Sequence, residues 1–165
     1  MLKAIGSDLD ISVPSDCEYY DYVKDLLESD VVQSMKQYHH HGSTSLFQHS
    51  VNVSYYNFLL CKKWGLDARA GARGALLHDL FLYDWHDHVK APGCQFHGWT
   101  HPYTALKNAH KYFDITPVEE DIIVKHMFPL TPFPPKYRES FCITLTDKFC
   151  GAWEVLDHWA YKAGT

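Results

Sequence analysis

Twelve of the 165 residues are histidine. Imidazole is the commonest metal ligand and a base that titrates near neutrality, so the placement of these residues matters more than their number. His49 shares an apolar helical stripe with Val53, Tyr56 and Leu60, which follow it at steps of four, seven and eleven. His78 and Asp79 form a doublet at the end of a later apolar segment. Asp147 falls inside a late helical segment, with Ile143 four residues before it and Cys150 three after. An aspartate on a core-facing stripe is costly to bury without a positive partner. A metal ion shared by His49, His78, Asp79 and Asp147 would satisfy all four side chains together. Any one of these histidines alone reads as a hydrogen-bonded core residue, and it is their joint order that points to a metal.

These residues must be positioned by helices, because capping and turn signals divide the chain and strand-like alternation is scarce. Residues 1–15 read as a loose leader ending at Pro14-Ser15, and residues from about Asp16 to Tyr38 as one or two helices carrying Tyr19, Val23, Leu26 and Leu27 on one stripe. Ser45 and Gln48 form a Ser-x-x-Gln capping box ahead of a helix that runs to Trp64, where Gly65 is placed to end it. Asp67 caps a helix that reaches the His78-Asp79 doublet. Leu80 to Thr100 is aromatic, histidine-rich and broken by Pro92-Gly93, and reads as a loop. Pro102 suits the first position of the next helix, with Thr100 or His101 as cap. Thr116, Pro117 and Glu119 repeat the start signal, the four prolines from Pro129 to Pro135 mark a loop, and a final helix spans about Tyr137 to Ala160. The fold class is all-α, a single domain over residues 1–165 built as a bundle of six to seven helices.

Composition narrows the partners. A net charge of −5 argues against a nucleic-acid polymer. No apolar run approaches the roughly 20 residues that span a bilayer, and the N-terminus turns acidic before a signal-peptide apolar region could form, so a cytoplasmic protein is expected. Five cysteines, an odd number without a Cys-x-x-Cys pair, argue against a zinc ribbon and a disulfide framework.

A histidine, a His-Asp doublet about thirty residues on, and a distant aspartate in a late helix together resemble the HD superfamily of metal-dependent phosphohydrolases. The resemblance covers about residues 45–153, and His101 and His126, lying between the doublet and Asp147, make it similar to the binuclear branch. It implies one metal on His49, His78, Asp79 and Asp147, a second on His101 and His126, and Asp79 bridging the two. Iron, manganese, zinc or a similar ion suits such ligands. The implied activity is hydrolysis of a phosphate monoester or diester, nucleotides included, by a metal-bridging hydroxide. Asp79 is then catalytic as the bridge, with His97 as a proton donor and Lys148 as a phosphate contact; His41, Thr44 and Arg73 are further substrate-binding candidates. The doublet is followed by Leu80-Phe81-Leu82, and His126 by Met127, so the motifs of the cyclic-dinucleotide phosphodiesterases in this superfamily are absent. Two other readings use the same residues: a di-iron oxygenase of the HD-like type, or a non-catalytic module that senses a nucleotide or a metal. His39 and His40 read as a solvated helix end.

Overall fold

The computed structural model describes residues 2–10, 12–40, 44–83 and 97–163. It is an all-α bundle. The chain opens with a two-stranded antiparallel hairpin, β1 (Lys3–Ala4) and β2 (Ser7–Asp8). Then follow α1 (Pro14–Leu27), the short α2 (Asp30–Gln33), a 3₁₀ turn (Ser34–Gln37), α3 (Leu46–Lys63), α4 (Ala68–Leu77), α5 (His97–Tyr112), α6 (Pro117–Lys125) and α7 (Arg138–Ala163). No helix among the described residues is long and apolar enough to cross a membrane.

The local signals act where the sequence places them, with four differences. Asp67 Oδ1 caps α4 through Ala70 N at 2.8 Å. The Thr116–Glu119 box is complete, with Glu119 Oε2 accepting from Thr116 N at 2.8 Å and Thr116 Oγ1 from Glu119 N at 3.3 Å. Gly65, at φ 65°, ends α3 in the left-handed conformation that a side chain would disfavour. The box at Ser45 is only half made. Ser45 Oγ accepts from Gln48 N, but the Gln48 amide turns to Lys3 O and Asn52 Oδ1 instead. Helix α5 starts at His97, which leaves Pro102 inside it rather than at its first position. The expected loop is thus shortened at its end, and residues 84–96 lie outside those described. The leader is not loose at its start, because the hairpin packs on α3: Ile5 N donates to Asn52 Oδ1 at 2.9 Å and Tyr56 Oη to Ile5 O at 2.6 Å.

Helix α3 runs through the middle of the molecule, with residues buried along its whole length from Leu46 to Cys61. Two of its buried polar groups find partners on the backbone of α4: Ser54 Oγ donates to Ala72 O at 2.7 Å, and Asn57 Nδ2 to Gly71 O at 2.9 Å. The larger core gathers α1, α3 and α4 around Tyr19, Leu26, Phe58 and Leu76. A smaller one, with Val53, Ala75, Ile122, Ile143 and Cys150, joins α3 and α4 to α6 and α7. That second core brings the ends of α4 and α6 together, and it depends on Gly74.

A Cβ on Gly74 would lie 2.9 Å from Ile122 Cβ and 3.1 Å from the Glu119 backbone. Gly74→Ala is therefore expected to destabilise the protein by about 1–3 kcal/mol, the usual cost of overpacking, as a lower midpoint in urea unfolding. Arg73 beside it is buried, donating to Glu119 Oε1 at 3.1 Å, Asp25 Oδ1 at 2.6 Å and Tyr22 O. Partial burial alone would raise Asp25, but the hydrogen bond and charge of Arg73 outweigh it and hold the carboxyl below its ordinary value. Asp25 thus stabilises the fold above about pH 4, and the contribution is lost as pH falls through its lowered folded value. Asp25→Asn should be less stable than the parent at pH 7 by under about 1 kcal/mol, with the two converging in acid, as read from unfolding midpoints across pH.

Candidate metal centre

Five helices and the segment before α3 bring seven ionisable side chains into one cluster. His49 lies in the first turn of α3, His78 caps the C-terminus of α4 with Asp79 beside it, and His126 caps the C-terminus of α6. His101 comes from α5 and Asp147 from α7. His49, His78, Asp79, His101 and His126 are buried, and the Asp147 side chain is 17% exposed. The C-terminal ends of α4 and α6 carry partial negative charge, so the place where they meet favours a cation.

The imidazoles are oriented from behind. His78 Nδ1 donates to Ala75 O at 2.7 Å and His126 Nδ1 to Ile123 O at 2.8 Å, each bonding to the last turn of its own helix. His49 Nδ1 faces Glu154 Oε2 at 3.0 Å. In each case the Nδ1 partner is an acceptor, so Nδ1 carries a proton and Nε2 is turned into the cluster, the orientation that metal-ligating histidines require.

The inward contacts lie within about 0.3 Å of the lengths of coordination edges. Two ligand atoms on one ion, at about 2.1 Å and 90–110° apart, lie about 3.0–3.4 Å from each other. His49 Nε2 is 3.2 Å from Asp147 Oδ1, and His78 Nε2 is 3.7 Å from the same oxygen and 3.4 Å from Asp79 Oδ2. On the other side of the Asp79 carboxylate, Oδ1 is 3.3 Å from His101 Nε2 and 3.6 Å from His126 Nε2, and those two nitrogens are 2.9 Å apart. His78 Nε2 and Asp79 Oδ1 are buried without a hydrogen bond. Such atoms are expensive unless something else satisfies them, and a cation at the centre of these edges would. The cluster can hold a metal ion: His49, His78 and Asp147 converge within 4.8 Å, as do His78, Asp79 and His126.

Charge is arranged to match. Burial alone would raise Asp79, yet the charge of His78 and the ring nitrogens of His101 and His40 beside it hold its carboxyl well below the usual range. Asp147 is likewise held down against burial, by the hydrogen bond of His49 and the charge of His78. Burial would lower His49, but its hydrogen bonds to Asp147 and Glu154 prevail and raise it to about 10. His126 goes the other way, pushed down to about 3 by burial and by the charges of His78 and His101. It is therefore a neutral lone-pair donor at any ordinary pH.

The structure brings together all six residues expected as metal ligands, and it adds three that sequence reasoning missed. His40, read as part of a solvated helix end, has a side chain only 12% exposed; its Nε2 is 3.1 Å from Asp79 Oδ2 and its ring stacks on His49 at 3.8 Å. Backbone pairing places it there, with His40 N donating to Thr44 O at 2.9 Å and His39 bridged to Ser45. Glu154, seven residues after Asp147 on the same helical face, carries the hydrogen bond to His49, and Asn52 Nδ2 holds that carboxylate at 2.7 Å. Both positions were visible as polar residues on ligand-bearing stripes.

The other candidates fare differently. Arg73 is not brought to the cluster: its Nε and Nη1 are taken up by Glu119, Asp25 and the Tyr22 carbonyl, because a buried guanidinium needs anions close by. Lys148 reaches the edge of the site, donating to Phe128 O at 3.1 Å and His126 O at 3.4 Å beyond the end of α6. Thr44 lies on the pairing that positions His40. His97 begins α5, but its side chain, like the whole of His41, lies outside the described residues. Phe81 is buried edge-on to His101, with ring centroids 5.7 Å apart, and so belongs to both core and site wall. No family model matches this chain, and neither the curated proteins nor the solved structures contain a match.

Proposed function

We propose that the protein is a metal-dependent phosphohydrolase of the HD-superfamily type, holding two divalent or transition-metal ions and acting on a small phosphate monoester or diester. The observation that carries this reading is the division of the Asp79 carboxylate. One oxygen faces His78 and the other faces His101 and His126, so a single carboxylate addresses two sets of nitrogens. His49, His78, Asp79 and Asp147 would hold one ion; His101, His126 and Asp79 would hold the other. A pair of such cations lowers the pKa of water towards neutrality and offsets charge building on a phosphoryl oxygen. The chain's own contribution is orientation and exclusion. Ala75 O, Ile123 O and Glu154 set the imidazole tautomers. Phe81 keeps water from one side of His101, and Lys148 adds positive charge at the rim, where a phosphate oxygen could meet it.

Elemental analysis of untagged protein should find about two transition-metal ions per chain, falling to about one in a His101→Ala/His126→Ala variant. In Asp79→Ala the metal and phosphatase activity should both be lost while helical circular dichroism is retained. A protein that takes up no iron, manganese or zinc would refute the reading, and metal-dependent oxygen uptake without phosphate release would move it to an oxygenase. Glu154→Gln keeps the shape but weakens the partner of His49. It should lower metal affinity by about 10–100-fold in a chelator competition, with unchanged helicity.

A further inference from the structure

The metal centre leaves unused the opposite side of α7, which is apolar and turned to solvent. Phe141, Leu145, Phe149, Trp153, Leu156 and Trp159 are between 44% and 68% exposed. At about 100° per residue they fall within one stripe some 120° wide and about 27 Å long. The stripe adjoins a groove of about 330 Å³ between α3 and α7, lined by Tyr56, Leu59, Leu60, Lys63, Leu145 and Phe149. Taking roughly 150–250 Å² for a large side chain, the six residues present on the order of 600 Å². That reaches the upper limit for an apolar patch on a monomer, about 300–600 Å². With the groove it approaches the ~800 Å² per partner of a standard stable interface.

We infer that this face is the interface of a two-fold homodimer in which α7 packs antiparallel on the α7 of a second copy. The stripe is self-complementary about Phe149. Leu145 and Trp153 lie four residues to either side, while Phe141 and Leu156 lie eight before and seven after. A two-fold axis at Phe149 therefore sets apolar against apolar from Phe141 to Leu156, as an isologous contact requires, with Trp159 left beyond the matched stretch. The same axis brings exposed Arg138, at the start of α7, to within a helical turn of exposed Asp157 of the second copy. It also sets the positive end of one helix beside the negative end of the other. None of the six stripe residues carries any of the net charge of −5 that would hold two copies apart.

The test is light scattering coupled to size exclusion on the full chain, across a concentration series. The expected mass is twice 19.1 kDa. Phe149→Glu, which places two carboxylates face to face on the axis, should halve it with helicity and metal content unchanged. Should Phe149→Glu fail to fold, Leu156→Glu, at 65% exposure, serves in its place. In a Cys17→Ser/Cys94→Ser background, Phe149→Cys should crosslink to itself under mild oxidation, since residues on a two-fold axis approach within disulfide reach. A 19.1 kDa wild type at every concentration overturns the proposal and passes the face to a different partner. A dimer indifferent to both glutamates, or a ladder of larger assemblies, overturns it as well.

Discussion

The Asp79 carboxylate is buried just beyond the end of α4, beside a helix terminus whose exposed carbonyls make the place unfavourable for an anion. Leaving a charge there unpaired would cost far more than a small domain can spare. Much of the surrounding structure answers that constraint. Imidazoles arrive from α4, from α5, from the end of α6 and from the segment before α3, and each is turned so that nitrogen, not carbon, faces the carboxylate. Asp147 on α7 adds a second anion, which His49 meets.

Holding several imidazoles on two carboxylates requires rigid support, and the fold provides it through buried polar bonds. The N-terminal hairpin bonds Asn52, Asn52 bonds Glu154, and Glu154 bonds His49. A run of hydrogen bonds therefore leads from the first residues of the chain to the metal cluster. Small residues do the corresponding work in the core: Gly71 and Gly74 let α4 approach Cys61 on α3 and Ile122 on α6 so closely that a methyl group would collide. Close packing of those helices is what brings His78 within range of His126, their ring centroids 4.8 Å apart.

Legibility followed the range of the interaction. Helix starts at Asp67 and Thr116 and the stop at Gly65 involve atoms within three or four residues, so residue type alone announces them. The Ser45 box was half wrong because Gln48 had a better acceptor in Lys3 O, forty-five residues away in sequence. Arg73 misled for a similar reason, since its acids come from α1 and α6.

The sequence by itself determined that this is a helical protein with six histidine and aspartate side chains, spaced so that each falls at or near a helix end or on an inward stripe. Helical periodicity and capping are short-range physics, and a costly polar residue on an apolar stripe is visible without coordinates. Only the tertiary structure decided which oxygen of Asp79 meets which imidazole, that His40 joins from outside any helix, and that Glu154 rather than solvent sits behind His49. It likewise decided that one apolar side of α7 is left on the surface. Those outcomes depend on distances between elements far apart in the chain, which are set by how closely the helices pack and not by any local pattern.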